Sequence, residues 1–288
     1  MGFRAKVILD SVGPSGKRLI SVEATYPRFI HAEFMTHRDR ARNAASSRAI
    51  PWKKMKDMII TEPVIPISFD LEQKGMQSGD ALSPADQIKA EAIWLKARDN
   101  AVESAQALAD LGVHKSICNR LTEPFMWITV LCTATEWNNF FRLRCHPAAE
   151  KHFQKIAGMI RAAVGASVPR KLKRDEWHCP YLTEDEQKQL EYSFRIRDYA
   201  AEIYIRKVSV GRCARLSYLT HEGVRDPKAD VALCERLIRP PGDPDEEVMH
   251  ASPFEHVAWA HDDATYRSGP FLGWGQFRKD FPNENLEN

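Results

Sequence analysis

The chain has 288 residues, 43% of them hydrophobic, with 41 Lys and Arg against 39 Asp and Glu for a net charge of +2. That composition suits an ordinary globular protein with one large core, and the near balance of charge excludes a general field for coating nucleic acid or anionic lipid. No apolar run approaches the ~18 residues that cross a bilayer, and the N-terminus lacks the apolar stretch of a secretory signal, so no membrane partner and a cytoplasmic location are expected.

The opening "AKVILDSV" and "RLISVEATY" read as two strands joined by the Gly- and Pro-rich turn "GPSGK", a β-hairpin. That turn lacks the spacing of a phosphate loop. "PRFIHAEFMTHR" places Pro27 where a first helical turn accepts it and spaces Phe29, Ile30, Phe34 and Met35 along a helical face. Residues 50–80, broken by Pro, Gly and Ser, predict a long irregular segment. From Ser83 to Leu111 a Ser-Pro-x-Asp start, abundant Ala and helical spacing of apolar residues predict a long helix that Gly112 ends.

Beyond it, "WITVLCTAT" has the β-branched content of a strand between helical stretches, and residues 166–190 read as a polar, broken surface excursion. A short helix near 227–239 and a turn leading into a strand at "MHASPFEHVAWA" complete the pattern. Strands and helices are mixed without βαβ alternation, so the expected class is α+β: a mixed or antiparallel sheet flanked by long helices, in one large domain over 1–288. The six cysteines, Cys118, Cys132, Cys145, Cys179, Cys213 and Cys234, are scattered without a CxxC pair. They read as reduced and structural, with no metal site expected.

The chemistry gathers in "THRDRARNAASSR", residues 36–48, which holds four arginines, a histidine, an asparagine and two serines with a single acid. Guanidinium forks match phosphate bidentately, and hydroxyls complete such a site. Asn119 with Arg120, and Asn139 with Arg144 in "EWNNFFRLR", form two further groups. Converging, the three would suit a phosphorylated, planar ligand. Taken singly, each arginine is better explained by a solvated ion pair, while Asn138 and Asn139 could equally cap a turn and Ser46 and Ser47 could start a helix.

As a set, these segments resemble the flavin-dependent thymidylate synthases. "HRDRARNAASSR" follows their signature RHRxxSxNxxSxR at His37, Arg38, Asn43, Ser46 and Arg48. "RCARLSY" with Ser217, "HASPFEH" with His250, Ser252, Glu255 and His256, and "GVHKSICNR...EP...NNFFRLR" with Arg120, Asn139 and Arg144 are similar to three more blocks of the family. The order is permuted, with the SPFEH-type block following the signature by some two hundred residues rather than preceding it. Permutation is tolerated where termini lie together at a surface. The chain departs from the family at Thr36, Ala41 and Ala44, and has Thr133 and Thr135 where relatives carry a flavin-contacting Asn-x-Arg.

What the resemblance implies is methylation of dUMP to dTMP, with methylenetetrahydrofolate as carbon donor and FAD, recharged by NADPH, as hydride donor. It assigns Arg144 to the pyrimidine as the catalytic group, and Ser46, Arg48 and Arg120 to the substrate phosphate. His37, Arg38, Asn43, Asn139, Ser217, His250 and Ser252 fall to the flavin, in sites shared between the subunits of a homotetramer. No cysteine nucleophile is needed, with Cys145 as the one to exclude. Hydroxymethylation or another change at carbon 5 of a pyrimidine nucleotide is the near alternative; a non-enzymatic nucleic-acid-binding protein is the distant one, and no stable nucleic-acid partner is expected.

Overall fold

The computed structural model describes residues 2–193, 198–218, 225–238 and 249–284. Two long strands, β1 (Arg4–Val12) and β2 (Arg18–Pro27), pair antiparallel as the expected hairpin, with an irregularity in register between Val7 and Leu9. Gly16 supplies the positive φ, 76°, that closes the turn. The helix α1 is short, His31–Met35. Pro27, expected in its first turn, instead ends β2 opposite Trp127: its φ of −56° is as compatible with extended backbone, and Arg28 N continues the ladder to Met126 O at 2.8 Å.

The arginine-rich segment forms a four-residue strand, β3 (Ala41–Ala44). Residues 50–80 are less irregular than their prolines suggest. Pro51 sits just before α2 (Trp52–Thr61), whose Met55 and Ile59 are buried; a proline at a helix start costs no hydrogen bond. The long helix α3 (Pro84–Asp110) begins as expected, with Ser83 Oγ accepting from Asp86 N at 3.2 Å, and Gly112 at φ 81° closes it.

A short α4 (Lys115–Cys118) and a 3-10 turn (Asn119–Phe125) lead into β4 (Trp127–Ala134), the strand expected from "WITVLCTAT". Helices α5 (Asn138–Arg144) and α6 (Lys151–Ala166) follow. Residues 166–190 are no surface excursion. They hold β5 (Arg170–Lys171), β6 (Trp177–His178) and the start of α7 (Glu184–Ser193), and bury Leu172, His178, Cys179 and Leu182. Helices α8 (Asp198–Tyr218) and α9 (Pro227–Ile238) precede a 3-10 turn (Ser252–His256) and the short strands β7 (Ala258–Ala260), β8 (Arg267–Ser268), β9 (Phe271–Leu272) and β10 (Trp274–Gln276).

The class is α+β. The main sheet runs β3-β4-β2-β1-β5, antiparallel except for the parallel β1–β5 pair, and a second sheet runs β10-β7-β6. Strand alternation sorts the main sheet into two unlike faces. Ile20, Val22, Ala24 and Tyr26 of β2, with Ile128, Val130, Cys132 and Ala134 of β4, join Phe34, Phe140 and the apolar stripe of α6 in the largest core. The intervening residues Ser21, Glu23, Thr25, Thr129, Leu131 and Thr133 belong to the other face, where Leu131 packs with Cys213 and Leu216 of α8.

Where α8 crosses α9, a Cβ on Gly211 would lie 2.2 Å from Asp230 O. The buried Asp230 carboxylate is held there by Arg212 Nε at 3.0 Å and Arg215 Nε at 2.5 Å, an arrangement that tolerates no separation of the helices. Gly211→Ala is therefore expected to lower stability by about 1–3 kcal/mol, the usual cost of overpacking a tight contact. Urea unfolding of the two proteins measures it.

Candidate functional site

The four arginines of residues 36–48 meet different fates. Arg38 and Arg48 are exposed. Arg40 is buried, its guanidinium 4.2 Å from the Phe140 ring centroid and 4.8 Å from that of Trp137, with Asp39 on its Nε at 2.8 Å. Arg42 donates to the Met35 and His37 carbonyls and so fixes the loop that enters β3. Half of the cluster is thus structural.

Asn43 is where separate parts of the chain meet. β3 is an edge strand, with Asn43 opposite Leu131, which turns the buried amide onto the face covered by α8. Its Nδ2 donates to Cys213 O at 2.7 Å, and Ser252 Oγ lies 3.5 Å from its Oδ1. One side chain therefore ties "RNAA", "RCARLSY" and "HASPFEH" together. Ser217 follows Cys213 by one turn of α8, although its side chain lies outside the described residues. His250 is exposed, with its backbone N donating to Leu237 O at 2.8 Å.

On the opposite face of β3, His37 accepts at Nε2 from Arg144 Nε, 2.9 Å away. Arg144 also stacks on Phe153 at 4.3 Å, with Glu33 Oε2 at 3.8 Å from its Nη1. Burial, with the charges of Arg40 and Arg144 beside it, pushes His37 down to about 4. The neutral ring is the form that can accept. Asn139 stands exposed in the first turn of α5.

Beyond the far end of β3, Asn119 Nδ2 donates to Ser47 O at 2.7 Å and Ile50 O at 3.0 Å. That staple brings together the turns carrying Ser46, Arg48 and Arg120, and Lys115 Nζ caps Ala49 O at 3.1 Å. Arg48 and Arg120 share this exposed corner. Arg144 meets His37 ahead of β3, whereas Ser46 and Arg48 follow that strand.

Sequence reasoning missed His178, which follows Trp177 with no motif around it, and gave Thr133 and Thr135 only as departures. Thr133 is fully buried and bonded within the protein, and Thr135 Oγ1 accepts from Leu272 N at 3.2 Å. Cys132, Cys179 and Cys234 are pushed up to about 12 by burial, Cys213 is pushed up further, and Cys145 is also raised. None of these five offers a ready thiolate. Among the described residues, no helix is long and apolar enough to cross a membrane.

No protein-family model matches the chain, and no curated protein matches it in sequence. Among solved structures, a UMP/dUMP methylase PolB from Streptomyces cacaoi bound with 5-Br UMP is 14% identical, with a TM-score of 0.47, over 57% of this chain and 89% of that one. Its complex with 5-Br dUMP gives 13% and 0.46, over 57% and 90%. Likeness at this level assigns neither fold nor activity to this chain.

Burial also pushes His31 down to about 4 and His178 and His256 to about 3. A histidine held neutral by folding takes up its proton in the unfolded chain first. Its contribution to stability is therefore whole above pH 6.5 and is lost as the pH falls toward the folded value. For His37→Gln, the stability gap from the wild type is expected to narrow between pH 6.5 and 4, as measured by urea midpoints across that range.

Proposed function

We propose that this protein methylates dUMP at carbon 5, using methylenetetrahydrofolate and an FAD that NADPH reduces. The observation that carries the reading is the meeting of the family-like blocks, 209 positions apart in the case of Asn43 and Ser252, around the strand that bears the signature. "RCARLSY" and "HASPFEH" reach it through Asn43, "EWNNFFRLR" through His37, and "CNR" through the Asn119 staple. Two of these blocks meet the strand itself at Asn43, and the other two meet the segments just before and after it, at His37 and at Ser47, which supports reading them as parts of one site.

The residues present fit a flavin in part. Asn43 and Ser252 lie together, and His37, Arg38, Asn139, His250 and Ser217 complete the set by resemblance. Thr133 does not add to it, because its buried hydroxyl is bonded to Ser21 and His256 inside the protein, and Thr135 Oγ1 accepts from Leu272 N. Bound flavin and folate would supply the hydride and the carbon.

The chain's own part is electrostatic. Carbon 5 of uracil is a weak nucleophile, and its attack builds negative charge on the pyrimidine oxygens. A cation already fixed in place stabilises that charge without reorganising. Arg144, held at Nε by His37 and stacked on Phe153, is such a cation. Arg48 and Arg120 receive the phosphate, with Ser46 beside them. The resemblance implies sites shared between subunits, so a complete site would take Arg144 and the phosphate corner from different copies of a homotetramer.

Purified protein is expected to be yellow and to release FAD on denaturation, and mass analysis of the product distinguishes a methyl from a hydroxymethyl group. Arg144→Ala should lower kcat roughly 10²–10³-fold with a smaller effect on dUMP affinity. Loss of the charged phosphate contact in Arg48→Ala should instead weaken dUMP binding by about 1.5–3 kcal/mol, read by calorimetry. A colourless protein that takes up no FAD would defeat the reading.

A further inference from the structure

The face of the sheet that bears Asn43 has a polar interior. Ser21 and Thr133 are cross-strand partners whose hydroxyl oxygens lie 2.7 Å apart. Ser21 Oγ is 2.8 Å from His178 Nε2, and His178 Nδ1 is 2.9 Å from Ser11 Oγ. At the other end, Thr133 Oγ1 is 2.8 Å from His256 Nδ1. All five residues are at most 1% exposed. The last ring nitrogen, His256 Nε2, is buried with no hydrogen-bond partner among the described residues. Burial holds both imidazoles neutral, at about 3.

A neutral imidazole donates from one nitrogen and accepts at the other, and a hydroxyl has one proton to give. If His256 donates from Nδ1, then Thr133 donates to Ser21, Ser21 to His178 Nε2, and His178 donates from Nδ1 to Ser11. If His256 carries its proton on Nε2, every bond reverses and His178 also carries its proton on Nε2. In both senses the two rings are the same tautomer. Opposite tautomers leave either the Ser21–Thr133 contact with no proton in it, or one hydroxyl proton with no acceptor in the line. Both are costly in a dry interior.

We propose that Ser11, His178, Ser21, Thr133 and His256 form one proton-ordered relay, which couples the Ser11 end to whatever group meets the unpaired Nε2 of His256. An acceptor at Nε2, such as a carbonyl oxygen, sets the sense in which Ser11 donates to His178; a donor there sets the reverse. The two senses hold the same five protons: each of the four bonds keeps one, and the fifth sits on His256 Nε2 in the sense in which Ser11 donates, and on the Ser11 hydroxyl, outside the line, in the reverse. The coupling stands on this line of hydrogen bonds alone, whereas its answer to FAD rests on the function proposed above.

Ring-nitrogen NMR on the ¹⁵N-labelled full chain tests it. In the wild type, His178 and His256 are expected to be the same tautomer. In Thr133→Val, the ring shifts of His178 are expected to move, although Thr133 does not touch that ring. Opposite tautomers in the wild type, or His178 shifts unmoved in the variant, would overturn the relay. If the variant does not fold, the wild-type tautomers decide alone. FAD added to the wild type forms a separate arm: failure to bind counts against the flavin and leaves the tautomer result standing.

Discussion

The buried amide of Asn43 holds the rest of the arrangement together. It sits on an edge strand of only four residues, and such a strand has few ladder bonds of its own to define its position. The bond from Asn43 to the Cys213 carbonyl adds a tertiary tie from that strand to α8, and Ser252 closes the other side of the amide. Leaving this amide unpaired would expose buried donors and acceptors together, so the packing of α8 on the sheet and the place of the "HASPFEH" turn depend on one another.

Strand alternation explains why the signature segment serves two environments. Asn43 points to the polar face, with the hydroxyl and imidazole chain, while Arg40, Arg42 and the His37–Arg144 pair lie on the side of the aromatic core. Arg40 shows the cost of that division. A fully buried guanidinium, bonded among the described residues through Nε alone, draws compensation from two ring faces and from Asp39. The same charge helps to keep His37 neutral, and so able to orient Arg144.

Much of the fold was legible in the sequence where local chemistry and tertiary context agree. The hairpin followed from its glycine turn, α3 from its Ser83 cap and Gly112 stop, and β4 from its β-branched run. Reading failed where one residue type serves two geometries. Pro27 suits a strand end as well as a helix start, Pro51 introduces α2 instead of breaking it, and the short strands at 170–178 are buried by packing that no period records. In the site, the family resemblance marked Asn43, Ser252, His37 and Arg144, which the fold joins in two contacts. The sequence could not reveal which arginines are buried, or that His178 enters the same face, because Arg40 is covered by the distant Trp137 and Phe140 and His178 meets Ser11 and Ser21 only through tertiary packing.

Whether this strand organises a site for a flavin and a pyrimidine nucleotide is decided by a crystal structure of the protein grown with FAD and dUMP. Isoalloxazine is expected within hydrogen-bonding distance of Asn43 or Ser252, a phosphate on Arg48 and Arg120, and an Arg144 guanidinium against the uracil, drawn from neighbouring copies where one chain does not suffice. Ligands bound away from these residues, or a tetramer whose interfaces keep Arg144 far from the phosphate corner, would contradict it.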